Sequence, residues 1–134
     1  SLAHVGKNVR DYLFALPFIR TGQGLTLRIF GFSLFLANPV LLLMVIWAAA
    51  LGITKKIKLE QVLIFVFFMV HLFLLLLHRT FGGFQFGARY AVDLLPYAML
   101  FLARRERKSI TIAEAAVMLA GLAFSVYGSL TVHL

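Results

Sequence analysis

Six side chains between positions 78 and 93 could recognise a charged ligand: His78, Arg79, Gln85, Arg89, Tyr90 and Asp93. The two arginines bracket the stretch Arg79-Thr-Phe-Gly-Gly-Phe-Gln-Phe-Gly-Ala-Arg-Tyr90. A guanidinium presents a planar fork that meets phosphate oxygens in pairs, and glycine lets backbone approach a ligand closely. The stretch matches neither a Walker A loop nor a dinucleotide fingerprint. Two readings therefore stand side by side. One is a lipid-phosphate cradle; the other is an interfacial loop whose phenylalanines sit at headgroup level. Arg89 and Asp93 are four apart, one α-helical turn, so they can pair on one face. That pair could equally be structural, with the other arginine snorkelling to headgroups. Tyr127, Ser129 and His133 are expected at the same face.

Other chemistry finds little support. His71 and His78 share a helical face, but two imidazoles do not complete a metal site and no further ligand falls at helical spacing. No metal is expected, and His71 reads as a hydrogen-bonded core histidine. Asp11, Glu60, Asp93, Glu106 and Glu114 are too scattered for paired acid–base work, and no Ser/His/Asp set is present. Glu114 has a local use instead: Thr111-Ile-Ala-Glu114 has the capping-box pattern, with each side chain satisfying the other's backbone N–H. Cysteine is absent, so there is neither a disulfide framework nor a thiolate site. No cofactor is expected.

The elements that hold these residues follow from composition. Of 134 residues 62% are hydrophobic and 13% charged, and the mean hydropathy is +0.96. So few charges cannot cover so much apolar surface in water. The sequence predicts an all-α, polytopic integral membrane protein with about four spans, near 31–54, 59–78, 88–103 and 111–132. Asn38-Pro39 suggests a break in the first span, with asparagine as N-cap, proline at the first helical position and residues 31–37 as a loop or half-helix. Pro96 suggests a kink in the third. Residues 1–28 read as an extracytoplasmic, interfacial segment. Within it Val5, Val9, Tyr12, Leu13 and Leu16 form the apolar face of an amphipathic helix, followed by a Thr21-Gly-Gln-Gly24 turn.

The net charge is +8 and the pI about 10.5. No basic stripe is interleaved with aromatics in a polar segment, so nucleic acid is not an expected partner. Lys55, Lys56, Lys58, Arg104, Arg105, Arg107 and Lys108 are seven of the 13 basic residues and fill two short connections. Helical hairpins put both on one side, which the positive-inside rule makes cytoplasmic. Residues 54–60 and 104–108 are then cytoplasmic in a multi-pass cell-membrane protein. The amino-terminal segment and the Arg79–Arg89 loop face outward.

The segment Phe84-Gln-Phe-Gly-Ala-Arg-Tyr-Ala-Val-Asp-Leu-Leu-Pro-Tyr97 resembles the later part of multi-spanning GT-C-type glycosyltransferases. There an outer loop ending FG-x-RY leads into a helix with proline several residues on. Gly31-Phe-Ser-Leu-Phe-Leu-Ala-Asn-Pro-Val-Leu-Leu-Leu43 is similar to the spans that precede that motif, and the resemblance covers most of residues 8 to 103. It implies sugar transfer from a polyprenyl-phosphate donor at the extracytoplasmic face. Arg89, inside the motif, would hold the donor phosphate; Arg79 is a second candidate on topology alone. Tyr90, Asp93, His78 and Gln85 would support them. The family's catalytic carboxylate lies in its first outer loop and has no counterpart in these residues. The chain thus reads as the carboxyl-terminal membrane portion of a longer protein, with the remainder of that protein, partner subunits and membrane lipid as its partners. The alternative is a non-catalytic four-span subunit or a partner of a lipid-linked-sugar flippase.

Overall fold

Asn38 interrupts the first apolar stretch. The computed structural model, which describes residues 5–22, 24–27, 32–77, 89–106 and 109–132, has a single turn α2 (Leu34–Ala37) followed by α3 (Pro39–Ile53). Between them Asn38 sits at φ −134°, ψ 80°, outside the helical region. The break falls where the sequence predicts it, because proline at the first helical position has no N–H to lose. The mechanism differs from the expected one. The Asn38 side chain makes no cap; its backbone N–H donates to the Leu34 carbonyl (2.9 Å) and its carbonyl accepts from Leu41 (2.9 Å).

The end of α3 is a Schellman turn. Lys56 N–H donates to the Leu51 carbonyl (2.9 Å), Lys55 N–H to the Gly52 carbonyl (3.2 Å), and Lys55 takes φ +54°. This left-handed position normally holds glycine, so a lysine there carries strain of about 1 kcal/mol. Lys55→Gly is expected to leave the turn intact and raise stability slightly, or at worst leave it unchanged. A thermal melt in detergent checks this; a clear loss of Tm would contradict it.

Helix α4 (Leu59–Leu76) is the one described helix long and apolar enough to cross a membrane. Its entry is fixed by the buried Gln61 side chain, which accepts from Lys58 N–H (3.1 Å). The stretches Pro39–Ile53, Val92–Ala103 and Ile112–Tyr127 are apolar but shorter.

The third predicted span opens differently from expectation. Arg89–Leu94 winds as a 3₁₀ segment and only Leu95–Ala103 is α-helical (α5). Pro96 stands in the first turn of α5, where it displaces no intrahelical hydrogen bond. The expected kink is therefore a change of winding ahead of the proline. Helix α6 (Ile112–Val132) closes the chain.

The amino-terminal segment departs furthest from expectation. One turn of α1 (Val5–Val9) widens into a π-helical turn at Arg10–Phe14. Of the expected apolar face Tyr12 is buried and Val9 and Leu13 pack against the core, but Asn8, Asp11 and Ala15 are buried beside them, while Leu16 is 66% exposed. Asn8 is held inward, for its Nδ2 donates to the Leu76 carbonyl (2.7 Å), one of the carbonyls α4 leaves unsatisfied at its end. The predicted turn at 21–24 joins two short strands, β1 (Phe18–Thr21) and β2 (Gly24–Leu27), paired antiparallel with Thr21 opposite Gly24. Gly24 has φ +123°, which only glycine adopts without penalty. Among the described residues the regular structure is thus helical except for this hairpin. Ser33 then ties α2 to the π turn, its N–H donating to Ala15 (2.9 Å) and its hydroxyl to Leu13 (2.7 Å).

Helices α3 to α6 alternate in direction. Against rising α6 numbers, Trp47 meets Glu114, Pro39 lies beside Gly121 and Phe32 meets Phe124, so α3 and α6 are antiparallel. Likewise Glu60 meets Arg104 while His71 meets Tyr97, so α4 and α5 are antiparallel. The core runs between them through Leu41, Met44, Phe68, Leu94, Ala98 and Phe101.

Candidate functional site

The two basic connections meet at one end of the bundle. Lys58 pairs with Glu106 (3.2 Å) and Arg104 with Glu60 (3.2 Å), so the turn before α4 and the turn after α5 lie side by side. Both pairs are exposed and contribute little stability. Their value is as a record of which turns share an end.

Behind them lies a buried polar junction that the charge pattern does not reveal. The predicted Thr111–Glu114 capping box is present: Thr111 N–H donates to Glu114 Oε2 (2.7 Å), and Glu114 N–H to Thr111 Oγ1 (3.1 Å). The carboxylate does more than cap. Its Oε1 accepts from Trp47 Nε1 (2.7 Å) and from the Arg105 guanidinium, which also stacks over the Trp47 ring at 5.1 Å. Arg105, expected to join the solvated basic cluster, turns inward and its side chain is only 13% exposed. One carboxylate therefore joins α3, the end of α5 and the start of α6. Only the local half of this arrangement has a signal in the sequence.

In front of the junction is a cavity of about 230 Å³ lined by Trp47, Leu51, Lys56, Lys58, Gln61, Arg104, Arg105 and Glu106. It opens at the basic end.

His71 lies at mid-helix, half-buried, with Nδ1 3.3 Å from the Tyr97 hydroxyl and the two rings edge-to-face at 5.7 Å. This is the hydrogen-bonded core histidine that the sequence suggests. Among the described residues no three metal-ligating side chains cluster.

Of the residues singled out for ligand recognition, those that are described fall at the opposite end. The 3₁₀ segment carrying Arg89, Tyr90 and Asp93 precedes α5, whose other end leads into the basic turn. The backbone of Arg89 and Tyr90 belongs to that segment, but their side chains lie outside the described residues, as do His78, Arg79, Gln85 and His133 in full. Asp93 is exposed. With three residues per 3₁₀ turn, positions four apart no longer share a face. The one-turn spacing invoked to pair Arg89 with Asp93 is therefore not the geometry found, and Asp93 has no ion pair among the described residues. Tyr127 lies exposed toward the far end of α6; the Ser129 side chain is outside the described set.

These features define a helical bundle with a basic end and a separate arginine-bearing turn at the other. No known family pattern, no curated protein and no solved structure matches the chain.

Proposed function

We propose that the chain is a polytopic membrane bundle of four spans, the membrane portion of a glycosyltransferase-like protein that uses a polyprenyl-phosphate-linked sugar at the extracytoplasmic face. Support for the membrane comes from the surface of the helices. Val66, Phe67, Val70, Phe73, Met99, Leu100, Leu119 and Leu122 all point outward and are exposed. Only 28% of α4 is buried, whereas the core helix of a water-soluble domain would be mostly covered. Lipid is the solvent in which such a surface is stable. The shorter helices are accommodated by local thinning and by neighbouring chains.

The observation that carries the transferase reading is the Phe84–Tyr97 motif, with Arg89 on the turn at the end of the bundle remote from the lysine- and arginine-dense connections. Under the positive-inside rule that end is extracytoplasmic, where a lipid-linked donor presents its phosphate. Arg89, with Arg79 as a second cation, would hold the phosphate through charge-assisted hydrogen bonds. These gain strength where water is excluded.

A non-catalytic four-span subunit is the second reading. It is favoured by one fact: Glu60, Glu106 and Glu114 are all engaged in ion pairs at the basic end, away from the motif. One experiment separates the two. In the full parent protein, Arg89→Ala is expected to insert and fold normally yet lose donor binding by about tenfold or more. Unimpaired sugar transfer by that variant would remove the donor-phosphate role and leave the subunit reading.

A further inference from the structure

We infer that the cavity at the basic end is a second, separate site that binds a phosphate group. It lies at the opposite end of the bundle from Arg89 and does not depend on the transferase reading. Four cations line it: Lys56 and Lys58 from the turn before α4, and Arg104 and Arg105 from the end of α5. Trp47 and the buried Gln61 complete the wall. At about 230 Å³ it is below the roughly 300–1,000 Å³ of drug-sized sites, a size suited to a small anion or a lipid headgroup.

The cations are not neutralised equally. Lys58 and Arg104 hold exposed carboxylates, Glu106 and Glu60, in pairs weak enough to exchange for a better anion. Lys56 has no ion pair among the described residues, and the Schellman turn fixes its backbone to Leu51. Arg105 gives Nη1 to Glu114, while its buried Nε has no hydrogen-bond partner among the described residues. A phosphate brings several acceptor oxygens and at least one negative charge, which meets both deficits. A carboxylate brings fewer acceptors. The same group reaches the cavity from two sources, the headgroup of an anionic phospholipid or inorganic phosphate in solution. Basic pockets between helices on the cytoplasmic side suit the first, and that arm rests on the membrane reading.

Trp47 is the only tryptophan in the chain and forms part of the wall, so its fluorescence reports occupancy directly. The full chain is titrated in neutral detergent with sodium phosphate, against sodium chloride at matched ionic strength. In parallel it is placed in vesicles of phosphatidylcholine alone or of an equimolar phosphatidylcholine–phosphatidylglycerol mixture, with insertion measured separately by flotation. A saturable change of Trp47 emission with phosphate, with phosphatidylglycerol, or with both supports the site. A response to phosphatidylglycerol alone identifies a headgroup; a response in detergent identifies soluble phosphate as sufficient. Lys56→Gln and Arg104→Gln should each weaken the apparent affinity about tenfold with unchanged circular dichroism. Absence of any response beyond the chloride and phosphatidylcholine controls would overturn the proposal, as would a response undiminished when Lys56→Gln and Arg104→Gln are combined in one chain. Failure to float would instead count against the membrane reading, leaving the phosphate titration to decide the cavity.

Discussion

Glu114→Ala is expected to lower the Tm of the detergent-solubilised chain more than alanine at any other described glutamate, by on the order of 10 °C. Donors on three residues lose their acceptor at once: Thr111 (N–H and hydroxyl), Trp47 (Nε1–H) and Arg105 (guanidinium). The first loss is ordinary helix capping. The third dominates, because Arg105 is largely buried and a buried charge left without its partner is far costlier than the pair was worth. Glu60→Ala and Glu106→Ala remove only exposed pairs and should change Tm little. Glu114→Gln keeps an acceptor but not the charge, so it should fall between. Strong non-additivity is expected for the same reason. Replacing Arg105 and Glu114 together by methionine removes both charges and should recover much of what Glu114→Ala loses. If the double replacement is as damaging as the sum of the two single ones, the junction is not an ion pair in energetic terms.

Gly121→Ala is the second large effect, and its sign is the informative part. A methyl group at Gly121 would overlap Pro39 Cγ and lie 2.8 Å from Cδ. Neither group can swing away, since the proline ring is rigid and opens α3. Helix propensity alone would favour alanine by about 1 kcal/mol. Overpacking at such a distance costs about 1–3 kcal/mol, so the contact prevails and α6 is pushed off α3. Gly52→Ala is the control. No atom lies within 4 Å of its Cβ position, so propensity acts unopposed and stability should hold or rise by up to about 1 kcal/mol. Paired melts of the two variants decide the matter. Destabilisation by both, or by neither, would mean that the α3–α6 seam is not close-packed at Pro39.

The contrast between these sites follows the range over which the sequence is informative. Thr111 and Glu114 are three residues apart, so their reciprocal cap could be anticipated from spacing alone. Trp47 and Arg105, the other partners of the same carboxylate, lie 67 and nine residues away, and no local pattern points to them. Pro39 marked the helix break because its constraint acts on its own φ; the expected asparagine cap failed because backbone groups of Leu34 and Leu41 took the available bonds. Tertiary contact also outweighed periodicity near the amino terminus. There the Asn8 bond to Leu76 drew Asn8 and Asp11 inward beside Val9, Tyr12 and Leu13, and left Leu16 outside. Winding was the least legible property. Nothing in Arg89–Leu94 distinguishes a 3₁₀ start from an α-helical one, yet it changes which side chains can meet. The shared end of the two basic turns, by contrast, was implied by alternating helices, and the Lys58–Glu106 and Arg104–Glu60 pairs bear that out.

Everything about the proposed function depends on these helices crossing a bilayer with the basic turns on one side and the hairpin end on the other. The absence of cysteine makes the test clean. Single cysteines replacing Lys56, in the turn after α3, and Arg20, itself exposed on β1, are probed with a membrane-impermeant maleimide in intact cells and in inverted membrane vesicles. Lys56→Cys is expected to be labelled only in inverted vesicles and Arg20→Cys only in intact cells. Labelling of both from the same side, or recovery of the chain as a water-soluble monomer without detergent, would contradict it.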